Sequence, residues 1–168
     1  MTSAELLADA FERIRVVVHR VTDGLSREEL AVRLDGEANS IGWLIWHLTR
    51  IQDDHIAGVT GTEQVWTSGG WVDRFALPLE RMDHGFGHTP GQVASVVVDA
   101  AMLVEYYDAV HVVTLAYVAD LTDADLDRVV DERWDPPVTL GVRLVSIVND
   151  DVTHTGQAAF IRGILERR

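Results

Sequence analysis

Apolar residues recur every three to four positions over four long stretches of this chain, the spacing of helices that each bury one face. Leu6, Leu7, Ala10, Phe11, Ile14, Val17, Val18 and Val21 form the first stripe. Thr2-Ser3-Ala4-Glu5 opens it as a capping box, and Gly24 ends it. A second box, Ser26-Arg27-Glu28-Glu29, predicts a short helix near 26–34. Asn39 or Ser40 caps a long helix predicted over 40–59 and closed by Gly58 and Gly61. Thr89-Pro90-Gly91-Gln92 is a strong start, and Val93, Val97, Ala101, Val104, Ala109 and Val113 carry a third long helix to about 118. A short helix is expected over 122–130, Pro136-Pro137 blocks helix, and Thr139 starts the last one, which runs to about Glu166.

Valine is abundant in these stretches and favours helix only modestly, but the i, i+3, i+4 spacing and the caps decide against strands. The expectation is an all-α protein, a single helical bundle domain spanning 1–168 with four long and two short helices. Residues 61–88, punctuated by Gly69-Gly70, Pro78, Gly85 and Gly87, read as one long irregular connection. A connection of that length carries function or wraps over a pocket, and Trp66 and Trp71 within it imply packing. No run approaches the ~18 apolar residues of a membrane span. Glu5 and Asp9 stand where a secretory signal would place positive charge, so a cytoplasmic location is expected.

Charge and composition narrow the chemistry. All 14 basic residues are arginine, against 27 acidic ones, for a formal charge of −13. Such an acidic balance excludes a nucleic-acid binder, which needs a basic face to displace counterions. The absence of lysine excludes a Schiff-base amine and a phosphate loop with its Lys. The absence of cysteine excludes a catalytic thiol and any Cys-ligated metal. His, Asp, Glu and Arg remain, alone or around a metal with N and O ligands.

Of the seven histidines, two draw attention, together with one aspartate. Asp150 and His154 are one helical turn apart on a stripe shared with Ile147, Ala158 and Ile161, so a carboxylate and an imidazole turn inward together. A buried carboxylate needs a partner, either Arg143 on the same face or a metal ion. His47 occupies a similar stripe with Trp43, Leu44, Ile51 and Asp54. Joined across facing helices, His47, Asp150 and His154 make a three-ligand set with an open fourth position, the arrangement of catalytic zinc. Separately, an ordinary ion pair and a core imidazole bonded to a carbonyl explain them as well. His84 and His88 share the i, i+4 spacing, but Gly85 and Gly87 make helix there unlikely, and both read as loop residues near a pocket mouth. His55 is expected to point away from His47, with Asp54 just behind it, and His19 and His111 to be structural residues without a clear partner.

Gly42-Trp43-Leu44-Ile45-Trp46-His47-Leu48 and Asp150-Asp151-Val152-Thr153-His154-Thr155-Gly156-Gln157 resemble motifs of the DinB-like superfamily, which includes mycothiol-dependent maleylpyruvate isomerases and bacillithiol S-transferases. The second segment is similar to the family's His-x3-His-x-Gly-Gln, with Asp150 at the first His; some members use a carboxylate there. The resemblance implies an up-up-down-down four-helix bundle, a homodimer, and a zinc or nickel ion on His47, Asp150 and His154. It further implies a thiol-dependent S-transferase or isomerase using a small thiol such as mycothiol, with Arg50 and Arg143 anchoring an acidic cofactor or substrate. Two other readings stand beside it. One is a metal-dependent hydrolase with Asp54 or His55 as base; the other is a non-catalytic dimeric binding or stress-response module in which Asp150 pairs with Arg143.

Overall fold

Local signals set the helix starts. The computed structural model describes residues 1–167. In α1 (Ser3–Thr22) the Thr2 hydroxyl accepts from the Glu5 amide at 3.1 Å and Glu5 accepts from the Thr2 amide at 2.8 Å. Ser26 and Glu29 repeat the device at α2 (Arg27–Leu30). Ser40 caps α3 (Ile41–Thr60), and Gly61 ends it in the left-handed conformation that glycine adopts most readily. Fourteen residues of α3 are buried, among them His47, Arg50 and Asp53, so it is the central helix and carries polar groups into the core. Thr139 caps α8 (Leu140–Leu165), the longest helix.

Three expectations change. The long connection contains two single turns, α4 (Val65–Ser68) and α5 (Trp71–Phe75). The third long helix is broken into α6 (Pro90–Ser95) and α7 (Ala100–Ala119) by the extended segment 96–99. Val96 and Val98 are buried there beside Gly42, where a Cβ would lie 3.5 Å from Val98 and 3.2 Å from the Leu30 carbonyl. Arg27 donates to the Val97 carbonyl at 2.8 Å, and Asp99 restarts the helix. The short helix expected over 122–130 is a single 3-10 segment, Asp123–Asp127, followed by β1 (Val129–Asp131). β1 pairs antiparallel with β2 (Val138–Thr139), a small hairpin where no strand was expected.

The long helices form a ring in which α3 contacts α7 and α8, and α1 contacts the same two. Arg162 of α8 reaches the Arg20 and Asp23 carbonyls at the end of α1, so those two helices run parallel. His55 faces Arg143 while His47 faces His154, so α3 and α8 are antiparallel. Gly42 lies beside Val96–Val98 and Gln52 bonds Thr114, so α7 runs with α3. In chain order α1, α3, α7 and α8 therefore run up, down, down and up, in place of the up-up-down-down order expected. The long connection is what brings α7 back alongside α3 in the same direction. Among the described residues, no helix is long and apolar enough to cross a membrane.

Candidate metal centre

The antiparallel seam of α3 and α8 brings His47, Asp150 and His154 together, with one donor atom from each within 4.8 Å of the others. Donors held at about 2.0–2.2 Å from a tetrahedral ion lie about 3.3–3.6 Å apart, so closing onto a metal takes movements of up to about 1 Å. Each imidazole is oriented by a second bond. Nδ1 of His47 donates to the His84 carbonyl, which can only accept, so its Nε2 keeps the free lone pair. Nδ1 of His154 lies 2.9 Å from Oε1 of Gln157, which leaves its Nε2 facing Asp150 Oδ1 at 3.6 Å. Such outer bonds fix ring orientation in metal sites.

The electrostatics agree with the geometry. Burial pulls the His47 pKa down to about 4, so this imidazole is neutral near pH 7. Burial also pulls on His154, but the Asp150 carboxylate and Gln157 outweigh it and leave its pKa raised. Asp150 Oδ2 is buried without a protein partner. Arg143 does not supply one: its guanidinium bonds Asp131 at 3.0 Å and His55 at 3.3 Å, two helical turns along the seam. An orphaned carboxylate oxygen beside two imidazoles, one of them held neutral by burial, fits a divalent cation.

The other sequence candidates take different places. Arg50 is fully buried, and its guanidinium holds the Met82 and Asp83 carbonyls, Gln64, Tyr106 and Asp53. It presents no surface to a ligand, which corrects its assignment as a cofactor anchor. Arg143 lines a polar cavity of about 460 Å³ with Asp54, His55, Asp131, Glu132 and Arg133. An apolar cavity of about 510 Å³, lined by Leu34, Ala38, Leu44, Gln157, Phe160 and Ile161, opens on the other side of the centre. The three donors thus sit between an apolar and a polar recess. His88 is buried between Trp43 and Asp83, and His84 contributes its carbonyl. His19 and His111 do have partners, Asp108 and Glu12, each at 2.9 Å across the α1–α7 seam.

Sequence reasoning missed Asp151. It falls on the stripe Leu140, Leu144, Ile147, Asp151, Thr155, Ala158, so its carboxyl is fully buried and neither oxygen has a protein partner. That spacing was readable, but the neighbouring Asp150 drew the attention. Burial, reinforced by the charge of Asp150, pushes the Asp151 pKa well above its ordinary value. The folded state therefore holds a proton that the unfolded chain releases, and stability falls as pH rises above the unfolded carboxyl range. Asp151→Asn, which keeps the shape but cannot ionise, should add about 1–3 kcal/mol at about pH 8 and almost nothing at about pH 3. Urea unfolding of the metal-free protein at both pH values measures this; parallel losses or no change would contradict it.

A crystal structure of a conserved protein from Enterococcus faecalis superposes with a TM-score of 0.93 at 30% identity, over 100% of this chain and 99% of that one. No curated protein matches. The family model described as the DinB superfamily matches residues 10–158, which include all three candidate ligands, and the chain belongs to that superfamily.

Proposed function

We propose that the protein is a divalent-metal enzyme that uses a low-molecular-weight thiol such as mycothiol for S-transfer or isomerisation, as a cytoplasmic homodimer. The observation that carries the reading is the convergence of His47, Asp150 and His154 with the Asp150 Oδ2 left unpaired. A zinc or nickel ion bound there supplies Lewis acidity, which promotes deprotonation of a coordinated thiol. The chain has no cysteine, so the sulfur must arrive with a cofactor. The apolar recess beside Gln157 suits the hydrocarbon part of an electrophile. Arg143 lines the polar recess, and a carboxylate of the thiol or the substrate would have to share its guanidinium with Asp131 and His55.

Two observations weigh against the other readings. The bases named for a hydrolase, Asp54 and His55, lie in the polar recess rather than against the donors, with Asp54 bonded to Gln64 and His55 to Arg143. The non-catalytic reading had His47 bonded to a backbone carbonyl, which it is, and Asp150 paired with Arg143, which is engaged by Asp131 instead.

The test is turnover by metal-loaded protein with mycothiol and a panel of alkyl halides and unsaturated dicarboxylates, beside ester and amide hydrolysis without thiol. The expected result is product formation that requires both thiol and metal. Hydrolysis that persists without thiol would reject S-transfer in favour of a metal hydrolase.

A further inference from the structure

The segment Asp83–His88 is bonded to α3 through His88, the His84 carbonyl and the Asp83 carbonyl, and the contacts form a closed circuit. His88 accepts from the Trp43 indole N–H at 3.0 Å through Nδ1, and an indole nitrogen can only donate. The remaining His88 nitrogen, Nε2, therefore carries the proton and donates to Asp83 Oδ2 at 2.9 Å. Asp83 Oδ1 in turn accepts from the Gly85 amide at 2.8 Å. Trp43 stacks on His47 with ring centroids 4.6 Å apart and planes 12° from parallel. His47 closes the circuit by donating to the His84 carbonyl. The His88 side chain is only 3% exposed, and its ring also stacks on Trp46 at 5.9 Å.

Gly85 makes the close approach feasible. Its φ of +93° is a conformation that side-chain-bearing residues avoid. A Cβ there would lie 2.8 Å from His47 Nδ1 and 3.1 Å from each of Trp43 and Trp46. The loop backbone thus sits directly on the imidazole, with no room for a side chain between them.

We propose that His88 is a positioning residue for the metal centre, which through Trp43 and the Asp83–Gly85 turn holds His47 in the single tautomer that presents Nε2 to the ion. Without the circuit the His84 carbonyl moves off Nδ1, the imidazole proton is shared between both nitrogens, and the ring is free to turn. The inference rests on the metal-centre reading for its consequence but not for its geometry. His88 touches neither Asp150 nor His154 through any hydrogen bond; its effect passes through His47.

The experiment compares wild type, His88→Leu, His88→Gln and Gly85→Ala, with circular dichroism and thermal unfolding to confirm that each folds. Gln at 88 can offer an oxygen to Trp43 and an amide N–H to Asp83, so it is the conservative rescue. Nitrogen-15 NMR of the imidazoles in metal-free protein reads the tautomer of His47, and zinc titration against a chelator reads affinity. Wild type should show one His47 tautomer, protonated at Nδ1. His88→Leu and Gly85→Ala should show mixed tautomers and zinc binding weaker by about 10–100-fold, and His88→Gln should recover most of both. A folded His88→Leu with the wild-type tautomer and wild-type zinc affinity overturns the proposal. If His88→Leu does not fold, Gly85→Ala and the milder Asp83→Asn decide it by the same two readings. If wild type binds neither zinc nor nickel, the proposed function falls, while the metal-free tautomer still decides the role of His88.

Discussion

His154→Ala and His47→Ala should each lose a divalent metal that wild type is expected to retain at about one ion per chain. Metal binding to a four-ligand structural zinc site is worth about 10–16 kcal/mol, so one ligand among three or four accounts for about 3–4 kcal/mol, or a loss of affinity of about a hundred- to a thousandfold. His154→Ala is the cleaner variant, because His47 is also stacked on Trp43 and its removal disturbs packing. Wild type should also release metal as the pH is lowered from about 8 to about 6, and the order of events follows from the shifts. A ligand must be neutral to bind, and the raised pKa of His154 lets a proton compete first. His47, with its pKa near 4, stays neutral through that range. Elemental analysis of untagged protein after dialysis, with thermal unfolding before and after chelator, reads all of this. Unchanged metal content in both alanine variants would show that these residues do not hold the ion.

The parts of the fold that were legible from sequence are those specified within one helical turn. Thr2 with Glu5, Ser26 with Glu29, and Thr139 ahead of Leu140 each close their bonds with near neighbours, and the helices begin where these residues stand. The α6–α7 break was not legible, because Val93 and Val97 suit a helical period equally well. What straightens 96–99 is the distant pair Gly42 and Arg27, which sequence spacing does not show. The β1–β2 hairpin escaped for the same reason, since its ladder joins Val129 to Thr139 across the Pro136-Pro137 turn. At the site the pattern holds again. Asp150 and His154 announce themselves by spacing, and His47 by its place in a tryptophan-rich helix. The pairing of Arg143 with Asp131 depended on a strand that was expected to be helix. Arg50 looked like a ligand anchor because nothing local shows that Met82, Asp83 and Gln64 fold back to consume its donors.

That enclosure makes Arg50→Met the most destabilising substitution to be expected outside the ligands. The guanidinium donates to the Asp83 carbonyl at 3.1 Å, Gln64 at 2.8 Å and Tyr106 at 3.3 Å, and lies 3.5 Å from Asp53. It also sits 4.9 Å over the Trp66 ring. Methionine fills much of the volume but leaves those acceptors unpaired and Asp53 without its counter-charge. Removing one partner of a buried pair costs about 3–5 kcal/mol. For a domain of this size that lowers the melting temperature by about 6–20 °C. The loss should depend on pH in a definite direction. Burial already raises the Asp53 pKa, although Tyr106, the Trp66 and Val65 amides and Arg50 all pull it down. Without the Arg50 charge it rises further, so the folded variant binds a proton that the unfolded chain releases, and its stability declines as pH increases. Arg50→Met should therefore be nearer to wild type at about pH 5 than at about pH 8, and adding Asp53→Asn should recover part of the deficit at the higher pH. Arg50→Lys should not rescue, since a single ammonium cannot span acceptors arrayed around a planar fork. Denaturant unfolding of the four proteins at both pH values completes the cycle. A loss below about 1 kcal/mol for Arg50→Met would mean that the 82–88 segment is held to α3 without this residue.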